Sequence, residues 1–142
     1  CSCSTSCVCT GEGLRSVPRH LPTSIDALDL RSNRIANISQ SDLSRYRGLT
    51  ILILFNNTIG HIQSLTFSKL TSLTQLNLGR NELNDIQAGI FLHLPKLIDL
   101  DLRYNKITGI QQDAFQNLLQ LKNIFIECND ITYVESGAFS NL

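Results

Sequence analysis

The chain has 142 residues, a length that suits one domain, and its twelve basic and twelve acidic side chains cancel. A net charge of zero excludes the global field that would draw in nucleic acid or an anionic membrane surface. Three prolines and eight glycines are too few for a linker-rich chain, and no apolar run reaches the roughly 18–20 residues of a membrane helix, so no direct membrane insertion is expected.

The first segment is dense in cysteine: Cys1, Cys3, Cys7 and Cys9 account for four of the five. Spacing of this kind lacks the separated C-x2-C pairs of structural zinc sites, so two disulfides and an oxidising compartment are expected instead of a metal. Three pairings exist for four cysteines. Cys1–Cys7 with Cys3–Cys9 is the expected one, each cysteine of a short hairpin reaching across to the other limb. The opening on cysteine reads as a mature segment, with a leader removed or the numbering beginning inside a longer chain. Two sequons, Asn37-Ile38-Ser39 and Asn56-Asn57-Thr58, mark Asn37 and Asn56 as glycosylation acceptors and agree with secretion.

Beyond residue 24 the chain is periodic. Asparagine recurs at 33, 57, 81, 105 and 129, a step of 24 residues. Each sits in one apolar frame, Leu28-Leu30-Asn33-Ile35-Ile38 in the first unit and Ile124-Ile126-Asn129-Ile131-Val134 in the fifth. The predicted layout is an opening segment at 1–24 and five units at 25–48, 49–72, 73–96, 97–120 and 121–142. In each unit the L-x-L step alternates with period two, as a half-buried strand does. Successive strands then stack in parallel, with Leu28, Leu52, Leu76, Leu100 and Ile124 in one inward column and Leu30, Leu54, Leu78, Leu102 and Ile126 in the next. The asparagines end the strands where the chain turns inward. A turn buried between neighbours needs partners for its backbone groups, and an amide side chain supplies donors and an acceptor together. A buried asparagine ladder is the expectation.

Each unit closes on a second apolar pair. Phe67, Phe91, Phe115 and Phe139, with Leu43 in the first unit, form one column. Leu70, Leu94, Leu118 and Leu142, with Tyr46 in the first unit, form the other. These predict a packed outer spine with helical turns. It is bulkier than a strand, so the stack should curve with its sheet on the inside.

The frame resembles the 24-residue extracellular type of the leucine-rich repeat family over essentially the whole chain. Residues Cys7-Val8-Cys9-Thr10-Gly11-Glu12-Gly13-Leu14, Ser16-Val17-Pro18 and Leu21-Pro22 follow the order of that family's cysteine-rich N-terminal cap, a short hairpin that shields the first repeat. The resemblance implies a curved α/β-type solenoid with a parallel concave sheet and an irregular or short-helical convex side. The C-terminal cap of the family is expected to be missing. Variable lymphocyte receptors share this layout most closely, beside Toll-like receptor ectodomains, Slit proteins and glycoprotein-hormone receptor ectodomains. The function implied is extracellular recognition of a protein or a microbial-surface or glycan ligand, in a secreted protein or a cell-surface ectodomain. Cell adhesion, guidance or matrix assembly is the alternative, with self-association through the concave face or the open C-terminal end.

Core-facing strand positions leave the intervening residues for a ligand. Ile51, Ile53 and Phe55 stand out, since Thr50 to Phe55 is apolar on both faces; a contiguous apolar row suggests an interaction site. Asn77, Arg80, Asp99, Asp101, Arg103, Tyr104, Phe125 and Glu127 are the further candidates, with Tyr and Arg as anchors. Gly79 is expected to leave a dent beside Phe55 and Arg103. Cys128 has no partner in the repeat frame. His20, His61 and His93 fall at three different places in the repeat, so stacking brings no metal centre together. Asp99 and Asp101 share a face, yet no nucleophile, cleft or phosphate loop accompanies them. Neither an enzyme nor a cofactor is expected.

Overall fold

The computed structural model describes residues 1–140 and 142. It begins with a hairpin of two short antiparallel strands, β1 (Ser2–Cys3) and β2 (Ser6–Val8). The disulfides are Cys1–Cys9 and Cys3–Cys7, which corrects the expected Cys1–Cys7 and Cys3–Cys9 pairing. The hairpin register is the reason. It sets Cys3 directly opposite Cys7, so the next cysteine outward on each limb faces its counterpart. Diagonal neighbours in an antiparallel pair lie roughly 7–8 Å apart, too far for a disulfide to close.

From there the chain winds as a β-solenoid. Alternation in each unit produces one three-residue strand: β3 (Ala27–Asp29), β5 (Ile51–Ile53), β7 (Gln75–Asn77), β9 (Asp99–Asp101) and β11 (Asn123–Phe125). Between them, on an adjoining side, run the two-residue strands β4 (Asn37–Ile38), β6 (His61–Ile62), β8 (Asp85–Ile86), β10 (Gly109–Ile110) and β12 (Tyr133–Val134). The main sheet has seven strands in the order β1-β2-β3-β5-β7-β9-β11, and every pairing after the hairpin is parallel. Its register follows the repeat without slippage, with Leu28 opposite Leu52, Leu52 opposite Leu76, Leu76 opposite Leu100, and Leu100 opposite Ile124.

These inward columns are the core. Leu28, Leu30, Leu52, Leu54, Leu78, Leu100 and Leu102 are all 0% exposed. Full burial of one such side chain stabilises the fold by about 1.5–3 kcal/mol. Cys7 stands opposite Leu28 and is equally buried, so the hairpin continues the leucine column. Burial fades at the other end, where Ile124, Ile126 and Ile131 are only partly covered and Phe139 and Leu142 are exposed.

The asparagines form the expected ladder. Asn81 donates through Nδ2 to the carbonyls of Leu54 and Leu78, both at 3.0 Å, and its Oδ1 accepts from the Ile59 N–H at 3.0 Å. Asn57 and Asn105 repeat this pattern, each reaching back to a carbonyl and an N–H of the preceding turn and to a carbonyl of its own. Asn33 extends it into the first segment, donating to the Cys9 carbonyl and accepting from the Glu12 and Leu14 N–H groups. Among the described residues no buried side-chain nitrogen or oxygen lacks a partner.

The outer side is almost devoid of helix. Its one helical turn among the described residues is α1 (Gln40–Leu43), where Asp42 accepts from the Ser39 N–H at 2.9 Å and from Arg19 Nη2 at 2.8 Å. Burial pushes the Asp42 carboxyl up, but the hydrogen bonds from Arg19 and Ser39 outweigh it and hold the group below its ordinary range. Elsewhere the outer wall is a run of turns over stacked rings. Phe67 and Phe91 lie 6.3 Å apart, Phe91 and Phe115 6.2 Å apart, with ring planes nearly parallel. Paired strands are spaced at about 4.8 Å. A stack that advances farther per turn on its aromatic side than on its strand side must bend with the sheet inside. Tyr46 takes the spine position of the first unit, and its buried hydroxyl donates to the Pro18 carbonyl and accepts from the Leu21 N–H.

Candidate ligand-binding face

Alternation within each strand that buries Leu52 turns Ile51 and Ile53 outward, and the parallel register aligns those outward positions across the sheet. Ile51, Gln75, Asp99 and Asn123 form one row; Ile53, Asn77, Asp101 and Phe125 form the next. A groove of about 280 Å³ runs over them, floored by Ile51 and Ile53 and bounded by Asp99, Asp101 and Phe125. Both isoleucines are half-buried rather than fully exposed.

Charge on this face is largely pre-paired. Arg103 grips Asp101 through Nε and Nη2 at 2.7–3.2 Å, lies 5.0 Å over the Phe125 ring, and approaches Glu127 at 4.0 Å. The hydrogen bonds and charge of Asp101 raise the Arg103 guanidinium above its usual value. Asp29 and Arg31 form the same bidentate pair in the first unit. This D-x-R geometry recurs because adjacent outward positions on a strand share a face. The repeated Asp-Leu-Arg at 29–31 and 101–103 was the signal for it in the sequence. Asp99 accepts from Asn123 Nδ2 at 2.7 Å.

A second group lies along the edge where the strands turn. Arg80 sits 4.9 Å from the Tyr104 ring and 6.0 Å from that of Phe55. The expected dent at Gly79 is filled by Phe55. A Cβ there would meet Phe55 Cδ2 at 3.0 Å and Asn77 Oδ1 at 3.1 Å, so glycine is what lets the ring lie flat against the neighbouring strand. Nine of the eleven candidate residues therefore fall into two neighbourhoods, the groove and the Phe55–Arg80–Tyr104 edge; Arg103 and Glu127 stand beside the groove, Arg103 over the Phe125 ring. Gln75, another outward position of the third unit, also lines the groove.

Nothing in the sequence signalled the backbone of this edge. Ser32, Asn56, Arg80, Tyr104 and Cys128, each just before a ladder asparagine, have φ of 59°, 59°, 50°, 60° and 60°. Five different side chains hold a conformation that costs L-residues roughly 1–2 kcal/mol. The first four are held by a hydrogen-bond row in which each N–H donates to a carbonyl of the next turn, Arg80 to Arg103 at 2.9 Å for example. The left-handed turn swings each of these side chains out to the rim. Asn56 is exposed there with Nδ2 3.1 Å from Ser32 Oγ, and Asn37 is exposed in β4. Cys128 is an exposed free thiol. His20, His61 and His93 are all exposed. Among the described residues the sole cluster of metal-type donors is Cys1, Cys9 and Glu12, and its two sulfurs are bonded to each other.

A stack of parallel-strand turns with a ladder of buried asparagines and an outward row of unlike side chains defines a repeat scaffold built for protein interaction. The chain belongs to the leucine-rich repeat family, whose pattern matches residues 23–83, 47–107, 71–122 and 95–142. It is also similar to Toll-like receptor 2 of Macaca fascicularis and of Macaca mulatta, 44% identical in each case over 55 residues. Those stretches are 37% of this chain and 7% of each relative, so the chain corresponds to a small part of the receptors it matches. Among the described residues no helix is long and apolar enough to cross a membrane.

Proposed function

We propose that the chain is an extracellular recognition module of the immune-receptor kind that binds a protein or a microbial-surface ligand on its inner sheet. The observation that carries this reading is the groove, in which an apolar floor of Ile51 and Ile53 adjoins oriented polar groups on Asp99, Asp101 and Phe125's neighbour Arg103. Rigid strands and pre-paired charges lower the ordering cost of binding. Similarity to a Toll-like receptor supports an ectodomain role, and the cysteine hairpin followed by regular repeats supports the variable lymphocyte receptor layout. In this reading residues 1–24 are the cap and the five units from 25 to 142 are the repeats. Asn37 and Asn56 carry glycans, the latter beside the Phe55 edge.

Screening the folded chain against arrays of cell-surface ectodomains and of microbial glycans tests the proposal. Binding should be lost in Ile53→Asp and in Phe55→Ser, while thermal stability is kept. Unchanged binding and oligomeric state in both variants removes the site.

A further inference from the structure

We infer that the groove takes a cationic side chain, an ammonium or guanidinium group on a partly apolar protein segment, with Asp99 as its counter-ion. This rests on the reading of the sheet face as the binding surface and names the chemistry it selects.

The inference comes from which charges on the face are already satisfied. Three carboxylates stand on the sheet strands. Asp29 is taken by Arg31 at 2.8 Å and Asp101 by Arg103 at 2.7 Å. Asp99 has no cation within ion-pairing distance among the described residues; its one side-chain partner is the neutral amide of Asn123, on Oδ1 at 2.7 Å. That amide fixes the carboxylate's orientation and leaves Oδ2 free. Asp99 is half-buried in the groove wall, where a ligand cation displaces water and gains more than it would on an open surface.

The floor fits the same partner. Ile51 and Ile53 offer an apolar track beside Gln75 and Asn77, and the methylene stem of a lysine or arginine lies along such a track with its head at the polar end. An anionic ligand has no equivalent place. It would meet Asp99 directly, while the guanidinium of Arg103 is already engaged by Asp101 through Nε and Nη2. That mismatch discriminates against acidic partners.

The test uses acetyl-Leu-Ala-Lys-amide as probe and acetyl-Leu-Ala-norleucine-amide as its uncharged twin, with binding to the whole chain followed by backbone amide chemical shifts. The lysine peptide should shift the amides of Ile51, Ile53, Gln75, Asn77 and Asp99, and bind about tenfold more tightly than the norleucine peptide. Asp99→Asn keeps an acceptor for Asn123 and should erase that tenfold difference, whereas Asp113→Asn in the outer segment should leave it intact. Equal affinity for the two peptides, or a preference that survives Asp99→Asn, overturns the counter-ion assignment and leaves the sheet face standing as a binding surface. Shifts confined to residues off the sheet, or none at the solubility limit of either peptide, overturn both.

Discussion

Replacing Asn81 with leucine tests the ladder where it is most enclosed. The side chain is 6% exposed, and leucine matches its branched shape, so the change isolates the lost hydrogen bonds from any cavity. Its bonds are unequal in consequence. The carbonyls of Leu54 and Leu78 each accept from a second ladder residue, Asn57 and Asn105, and keep that partner. The Ile59 N–H has Asn81 Oδ1 alone, at 3.0 Å, and is orphaned. An unsatisfied buried donor costs about 1–3 kcal/mol and the weakened carbonyls add about 1 more, giving a total of about 2–4 kcal/mol. For a chain of this size that is a drop in Tm of about 10 °C. Asn129 makes the same set of bonds in the last turn, but only partly buried, where water substitutes for the amide. Asn129→Leu should therefore cost about 1 kcal/mol or less. Calorimetry and urea titration of both variants decide the matter. A loss below about 0.5 kcal/mol for Asn81→Leu, or equal losses for the two, would refute the view that buried backbone satisfaction holds the turns together.

Three further outcomes follow from the same structure. Asp42, held below its ordinary range by Arg19 and Ser39, contributes stability that is complete above the usual aspartate value and is lost as pH falls through its lowered one. Asp42→Asn should flatten the acid limb of a stability-versus-pH curve, most visibly below about pH 4. Gly89 holds φ of 94° on the outer wall, so Gly89→Ala should lower stability by about 1 kcal/mol in urea titration. Phe91, stacked between Phe67 and Phe115, should cost about 3–5 kcal/mol as alanine, and Phe139, 40% exposed at the end of the column, far less by the same assay.

The legible and illegible parts of the sequence divide along a physical line. A 24-residue step repeats each signal from unit to unit, so the leucine columns, the asparagine ladder and the phenylalanine spine are legible in the sequence alone. Features that occur once, or that depend on backbone alone, are not. The disulfide pairing depends on the register of a single hairpin, and nothing in the cysteine spacing states where its turn lies. The left-handed rim residues include serine, arginine, tyrosine and cysteine, none of which advertises positive φ. A turn imposed by the hydrogen bonds of its neighbours needs no glycine of its own. A missing side chain looks like space in one dimension, so Gly79 predicts a dent; in three, the ring of Phe55 lies there.

The same division bears on function. Stability resides in positions that repeat, each rung braced by the one before and the one after. Outward positions such as Ile53, Asn77, Asp101 and Phe125 differ from rung to rung, and the asparagine ladder does not involve them. Polar contacts on the face close along one rung, as in Asp101 and Arg103, or between adjacent strands, as in Asp99 and Asn123, without reaching the core. A change at an outward position should therefore alter what the sheet binds with little effect on whether the solenoid folds. That separation lets one scaffold hold a groove with an apolar floor and an uncompensated carboxylate, a combination that a close-packed core would not tolerate.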